Sequence, residues 1–120
     1  MGKNKKEEKV NKDMRALLPA ESGNKKIRIE LDKKIKFNEI NIERVELDFE
    51  ALTGKDICEA ETEYRGEFYQ PILDPNYSMA YQAAIAAKAS SLPYEVILEL
   101  GPKDFTKVVD ASKGFLMKLT

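Results

Sequence analysis

Residues 25–49 read KKIRIELDKKIKFNEINIERVELDF, and the fold turns on their period. Ile27, Ile29 and Leu31 alternate with Arg28 and Glu30, and Ile35 and Phe37 resume the pattern after Asp32-Lys33-Lys34. Alternation at period two marks a strand with one apolar and one wet face. Asn38-Glu39 reads as a turn, because Asn tolerates left-handed backbone geometry. Ile40 and Ile42 follow, then Val45, Leu47 and Phe49 with Arg44, Glu46 and Asp48 between them. The apolar phase slips by one near Glu43-Arg44, which predicts a bulge or a strand break. The stretch therefore predicts an antiparallel β-hairpin or a three-stranded meander. Two strands alone are marginal, so the segments that follow must cover the apolar face.

Those segments carry helix signals. Thr53 and Asp56 have the spacing of an approximate capping box, opening a helix over 55–65 that Gly66 closes. Asp74-Pro75 predicts a second helix, with Asp as cap and Pro in the first turn. In it Tyr77, Tyr81, Ala84 and Lys88 share one face, with Ala80, Ala83 and Ala87 beside it, and Ser90-Ser91 end it. Pro93 opens a short third helix over 94–100, closed by Gly101-Pro102. From Pro102 a last helix runs to the chain end, with Phe105, Val108, Val109, Ser112, Phe115, Leu116 and Leu119 on one stripe. The fold class is α+β: an N-terminal antiparallel hairpin or meander, then about four α-helices.

Residues 1–24 form a charged appendage, read as flexible, in which Lys3, Lys5, Lys6, Lys9 and Lys12 outnumber Glu7, Glu8 and Asp13. Met14–Leu18 is apolar enough for a short helical turn, too brief to be stable alone. Residues 25–120 make the one domain that 120 residues allow. Twenty basic against twenty-one acidic side chains lack the basic excess of a general nucleic-acid binder. No apolar run reaches the ~20 residues a membrane span needs, and the charged start lacks a secretory signal. One cysteine, Cys58, allows no intramolecular disulfide and suits a reducing compartment, so the expected location is cytoplasmic.

The residues with chemical potential have plainer explanations. There is no histidine, which removes the commonest general base and metal ligand. Leu52-Thr53-Gly54-Lys55 ends like a phosphate loop but lacks its leading glycine, and a helix cap accounts for Thr53 and Asp56. Cys58 has no base to activate it and is expected packed or half-buried. Glu59, Glu61, Glu63 and Glu67 suit the solvated side of a helix, with Glu61 and Arg65 spaced to pair. Tyr64, Phe68, Tyr69, Tyr77, Tyr81 and Tyr94 are mostly core, with Phe68 and Tyr69 beside the Pro71 loop set apart as partner anchors. No catalytic, metal or cofactor site is assigned, so the expected activity is binding another protein rather than enzymatic.

In order and spacing, several of these pieces resemble the tail assembly chaperones of long-tailed bacteriophages and prophages. They are Asp32-Lys33-Lys34-Ile35-Lys36-Phe37, Leu52 through Glu61, Ala84-Ile85-Ala86-Ala87-Lys88-Ala89, Leu92-Pro93, Pro102-Lys103-Asp104-Phe105 and Gly114-Phe115-Leu116. The resemblance spans residues 25–120. Two positions depart from it: Glu39 stands where the family often has a turn glycine, and Lys34 where it often has proline. The resemblance implies a protein that binds the tape-measure protein and shields its apolar helices until tail-tube subunits polymerise around it. It implies action in the host cytoplasm, absence from the mature virion, release by tail-tube protein, and room for self-association. Phe115, Leu116, Met117 and Leu119 on the last helix, then Tyr77, Tyr81 and Ala84, are the partner-binding candidates, unless the same residues close the core. Two other roles fit the residues: a structural subunit of the virion tail or baseplate, and a small nucleic-acid-binding regulator acting through the Lys-rich N-terminus.

Overall fold

The computed structural model describes residues 26–72 and 74–119. The appendage expected over 1–24 and the helical turn expected over Met14–Leu18 lie outside them. The described chain is α+β. Strand β1, Ile27–Phe37, pairs antiparallel with β2, Ile40–Leu47, in a two-stranded sheet. Four α-helices follow: α1 Gly54–Phe68, α2 Met79–Ser90, α3 Tyr94–Leu98 and α4 Pro102–Lys118. The hairpin alternative is the one realised, because Phe49 leaves the ladder for a 3₁₀ turn over Phe49–Ala51. Its ring stacks on Phe115 at 4.9 Å, so burial against α4 replaces a third strand.

The turn is where the sequence put it. Phe37 pairs with Ile40, while Asn38 and Glu39 both have positive φ, 51° and 67°, as a two-residue type I′ hairpin requires. The outer face carries two cross-strand ion pairs, Arg28–Glu46 at 3.1 Å and Arg44–Glu30 at 3.3 Å. The inner face buries Ile29, Leu31, Val45 and Leu47. The phase slip at Glu43 is a bulge in β1. Glu30 pairs with Arg44 and Ile35 with Ile42, so residues 31–34 face Glu43 alone.

Such a bulge strands backbone donors that the ladder would have used. Asp104, in the first turn of α4, satisfies two of them. Its carboxylate accepts from the backbone N–H of Asp32 at 2.9 Å and of Lys33 at 3.1 Å. Lys103 adds a 3.1 Å ion pair to the Asp32 side chain. The Asp32 N–H holds the Asp104 carboxyl below the ordinary carboxylate range; burial opposes this and is outweighed with help from the Lys33 N–H.

Helix α2 is the hub, packing against α1, α3, α4 and the hairpin. Tyr81, Gln82, Ala83, Ala84, Ile85, Ala86, Ala87 and Ala89 are all buried, and the alanines let four neighbours approach one axis closely. Two boundaries differ from the sequence reading for local reasons. Asp74-Pro75 caps only a 3₁₀ turn over Pro75–Tyr77, and the α2 cap is Ser78, whose Oγ accepts from the Tyr81 N–H at 3.2 Å. Gly66 does not end α1: the helix continues to Phe68 and closes on Tyr69 at φ 60°. The α3 helix stops at Leu98, with Glu99 and Leu100 in the turn after it. The Thr53–Asp56 capping box forms with both bonds in place, 3.3 Å and 2.9 Å.

Asp104→Ala leaves two backbone donors without their charged acceptor, and each hydrogen bond to a charged group is worth about 1.5–3 kcal/mol. Urea unfolding at neutral pH should show a loss of about 3 kcal/mol or more, with Asp104→Asn losing less. The lowered pKa fixes the sign: the stability from ionised Asp104 is present above the unfolded carboxyl pKa of about 4 and fades as pH falls through the folded value. The gap between wild type and Asp104→Asn should therefore narrow in acid. Glu39→Gly removes a left-handed non-glycine residue, a strain of about 1 kcal/mol, and should raise thermal stability accordingly.

Candidate partner-binding surface

Helix α4 divides into two faces. Asp104, Val108, Val109, Ser112 and Leu116 are buried, and Phe105, Ala111 and Phe115 pack partly against the core. Thr106, Lys107, Asp110, Gly114, Met117 and Lys118 are exposed. The Ser112 hydroxyl is buried without a hydrogen-bond partner among the described residues.

The seven candidates separate accordingly. Tyr81, Ala84 and Leu116 belong to the core, at 5%, 0% and 8% exposure, so they are withdrawn as surface contacts. Tyr81 meets Tyr64 edge-on at 6.4 Å, and Ala84 lies in the fully buried run Ala83–Ala86 of α2. Phe115 is half-buried against Phe49. Tyr77, Met117 and Leu119 are exposed, at 78%, 53% and 63%.

Tyr77 is exposed yet held. The Asp74 carboxylate accepts from the Asn76 N–H at 3.0 Å, the Asp74 carbonyl accepts from the Tyr77 N–H at 3.0 Å, and Gln82 Nε2 donates to the Pro75 carbonyl at 2.9 Å. Buried Gln82 thereby ties the 3₁₀ turn to α2. Lys113 Nζ lies 5.4 Å from the centre of the Tyr77 ring, within cation–π reach. Met117 is four residues on from Lys113, on the same side of α4. Tyr77, Lys113 and Met117 thus form one amphipathic edge. Its aromatic member has already given up backbone freedom, which reduces the ordering cost of binding.

At the far end of α1, Phe68 stacks on Tyr64 at 5.6 Å while remaining exposed, and Tyr69 is 85% exposed. Exposed Met79 and Ile40 were not singled out from sequence. Met79 falls inside the helix expected from Asp74-Pro75 but is the first residue of α2, and Ile40 continues an apolar alternation that is covered only nearer the base of the hairpin.

The remaining polar residues are engaged structurally. Lys88 bridges Glu59 at 3.3 Å and Glu63 at 3.1 Å. Burial disfavours its charge, but the hydrogen bonds it donates to the Glu63 and Glu59 carboxylates outweigh that and hold its pKa above the usual value. Glu61 pairs with Arg65 at 3.8 Å. A cleft of about 390 Å³ between the hairpin base and the end of α2 is lined by Glu46, Asp48, Asp56 and Lys88, among others. Glu46, Asp56 and Lys88 are already committed to Arg28, the Thr53 cap and the α1 glutamates. Tyr94 donates its hydroxyl to the Ala80 carbonyl at 2.6 Å, and burial pushes its pKa up. Cys58 is exposed, not packed, because it lies on the outer side of α1 from Ala60 and Tyr64. Among the described residues no group of three or more acidic or cysteine side chains is placed to hold a metal ion, and no helix is long and apolar enough to cross a membrane.

Truncation separates the two classes of candidate. Leu116→Ala removes a buried side chain and should cost about 2–5 kcal/mol in chemical denaturation, whereas Tyr77→Ser should stay within about 0.5 kcal/mol of wild type.

In comparisons with family models, with curated proteins and with solved structures, nothing matches this chain.

Proposed function

We propose that this protein acts by binding another protein, and that it is a tail assembly chaperone holding the phage tape-measure protein until the tail tube forms around it. The observation that carries the binding role is Tyr77, four-fifths exposed yet fixed by a capped turn and a lysine contact. Aromatic anchors of this kind dominate protein–protein contacts. The partner comes from the resemblance of residues 25–120 to the chaperone family, with Ala84–Ala89 in the hub helix and Pro102–Phe105 at the bulge clamp.

On this reading an apolar stripe of the tape-measure protein lies along the exposed edge of α4, in the manner of a helix in a groove. Tyr77 and Leu119 provide the contacts. A few anchors give weak, reversible attachment, as displacement by tail-tube protein requires, and many copies along one ligand restore occupancy through avidity. The protein then works in the bacterial cytoplasm, carries out no catalysis and is left out of the finished particle.

Co-expression with the tape-measure protein tests this. The chain should co-purify with it and increase its soluble fraction, and Tyr77→Ser with Leu119→Ser should reduce capture about ten-fold, a loss of 1.4 kcal/mol, without lowering the melting temperature. A tape-measure protein that is equally soluble alone and never co-purifies would sink the proposal. Recovery of the chain in purified virions would instead favour a structural subunit.

A further inference from the structure

Apolar side chains gather where α1 ends and α2 begins. Phe68 stacks on Tyr64 at 5.6 Å, Tyr64 meets Tyr81 edge-on, and the Tyr94 hydroxyl reaches the Ala80 carbonyl. Phe68 and Tyr69 are exposed, as is Met79 next to Ala80 in the chain, and Tyr94 is half-buried. The rim of this patch is acidic. Burial raises the Tyr94 pKa and the charges of Glu67 and Glu63 add to it, which places both carboxylates beside the ring. Lys88 is shared between Glu63 and Glu59, and Glu67 has no ion pair among the described residues. Along its length α1 carries Asp56 and four glutamates against Lys55 and Arg65.

A segment of matching chemistry lies within reach. Val10, Met14, Leu17 and Leu18 recur at helical spacing, with Lys9, Lys12 and Arg15 among them and Asp13 as the one carboxylate. The described chain starts at Lys26, which shares a cleft with Leu52 and Asp56 at the start of α1. The patch lies at the other end of that 15-residue helix, about 22 Å away at 1.5 Å per residue. Fully extended, the chain from Leu18 to Lys26 spans about 27 Å.

We infer that residues 9–18 dock on the patch of Phe68, Tyr69, Met79 and Tyr94 as an intrachain cover. Their apolar side chains lie on the rings, and their cations meet the Glu63–Glu67 rim. Cations against aromatic faces and carboxylates add to the apolar contact. The short tether holds the segment at an effective concentration on the order of millimolar, so a weak contact suffices. A partner that uses Phe68 and Tyr69 must first displace it. The contact is independent of which partner the protein serves.

Trypsin cleavage of the full chain, followed by mass spectrometry, reads the docked fraction, because cutting tracks the open population. Cleavage after Lys9 and Arg15 should be slow relative to cleavage after Lys3, which lies outside the docked residues. Phe68→Ser, and Leu17→Ser with Leu18→Ser, should each quicken it about ten-fold against that reference. Glu67→Lys should quicken it about three-fold; this exposed substitution keeps the test decisive if Phe68→Ser lowers the melting temperature. Wild-type cleavage should also quicken with salt and be unchanged by dilution. Equal relative rates in wild type and every variant would overturn the inference. Protection that disappears on dilution would overturn it too, by giving the patch to a second copy of the chain.

Discussion

The carboxylate of Asp104 does two jobs with one group. It completes the hydrogen bonding of a β1 segment that the ladder abandons, and it fixes the start of α4 against the sheet. A two-stranded sheet has too little area to be stable alone, so it must be held to the helices by more than apolar contact. The bulge at residues 31–34 exposes backbone donors, and a buried anion is the acceptor that binds them most strongly. The same residue lies in the first turn of a helix, where negative charge is favoured. The long α4 thereby acquires a fixed angle, and that angle decides which of its side chains meet the core and which meet water.

Around that clamp the domain is organised by size. Helix α2 contacts every other α-helix and the hairpin, and its run of alanines sets how near they come. Larger residues are displaced outward to the seams: Phe49 against Phe115, Tyr64 against Tyr81, Tyr94 reaching the Ala80 carbonyl. The Ser112 hydroxyl, buried on α4, has no hydrogen-bond partner among the described residues. A serine is smaller than the valines beside it, and the dense packing accommodates its volume without supplying an acceptor.

Much of the fold was legible because its signals are local. The Asn38-Glu39 turn and the Thr53–Asp56 box involve residues close in sequence and appear as read; the strand alternation and the α4 stripe appear too, except that Ile27, Ile40 and Leu119 are exposed and α4 ends at Lys118. What was not legible depends on distant partners. Nothing near Asp104 reveals that it caps a strand 72 residues away, and nothing near Asp74 shows that Gln82 confines its turn to a single 3₁₀ loop. The candidate surface was readable only in part for the same reason. Periodicity places Leu116 and Tyr81 on helix faces, but which face is covered depends on what packs there, so buried and exposed candidates were grouped together. Tyr77 was assigned to a helix face and is instead held on the turn before it.

The clamp also bears on the order in which the domain is built. The hairpin contains its own turn and forms from neighbouring residues, so it has short contact range and is the natural early element. Its completion must wait for a carboxylate that leaves the ribosome 72 residues after Asp32, and closing so long a span carries an entropic cost that grows with the logarithm of its length. Until α4 arrives, the Asp32 and Lys33 N–H groups lack their acceptor and β1 lacks the helix that packs on it, while α2 covers β2. The clamp can close only once α4 has formed and docked, so the step that buries the inward face of α4 also sets the direction of its outward one.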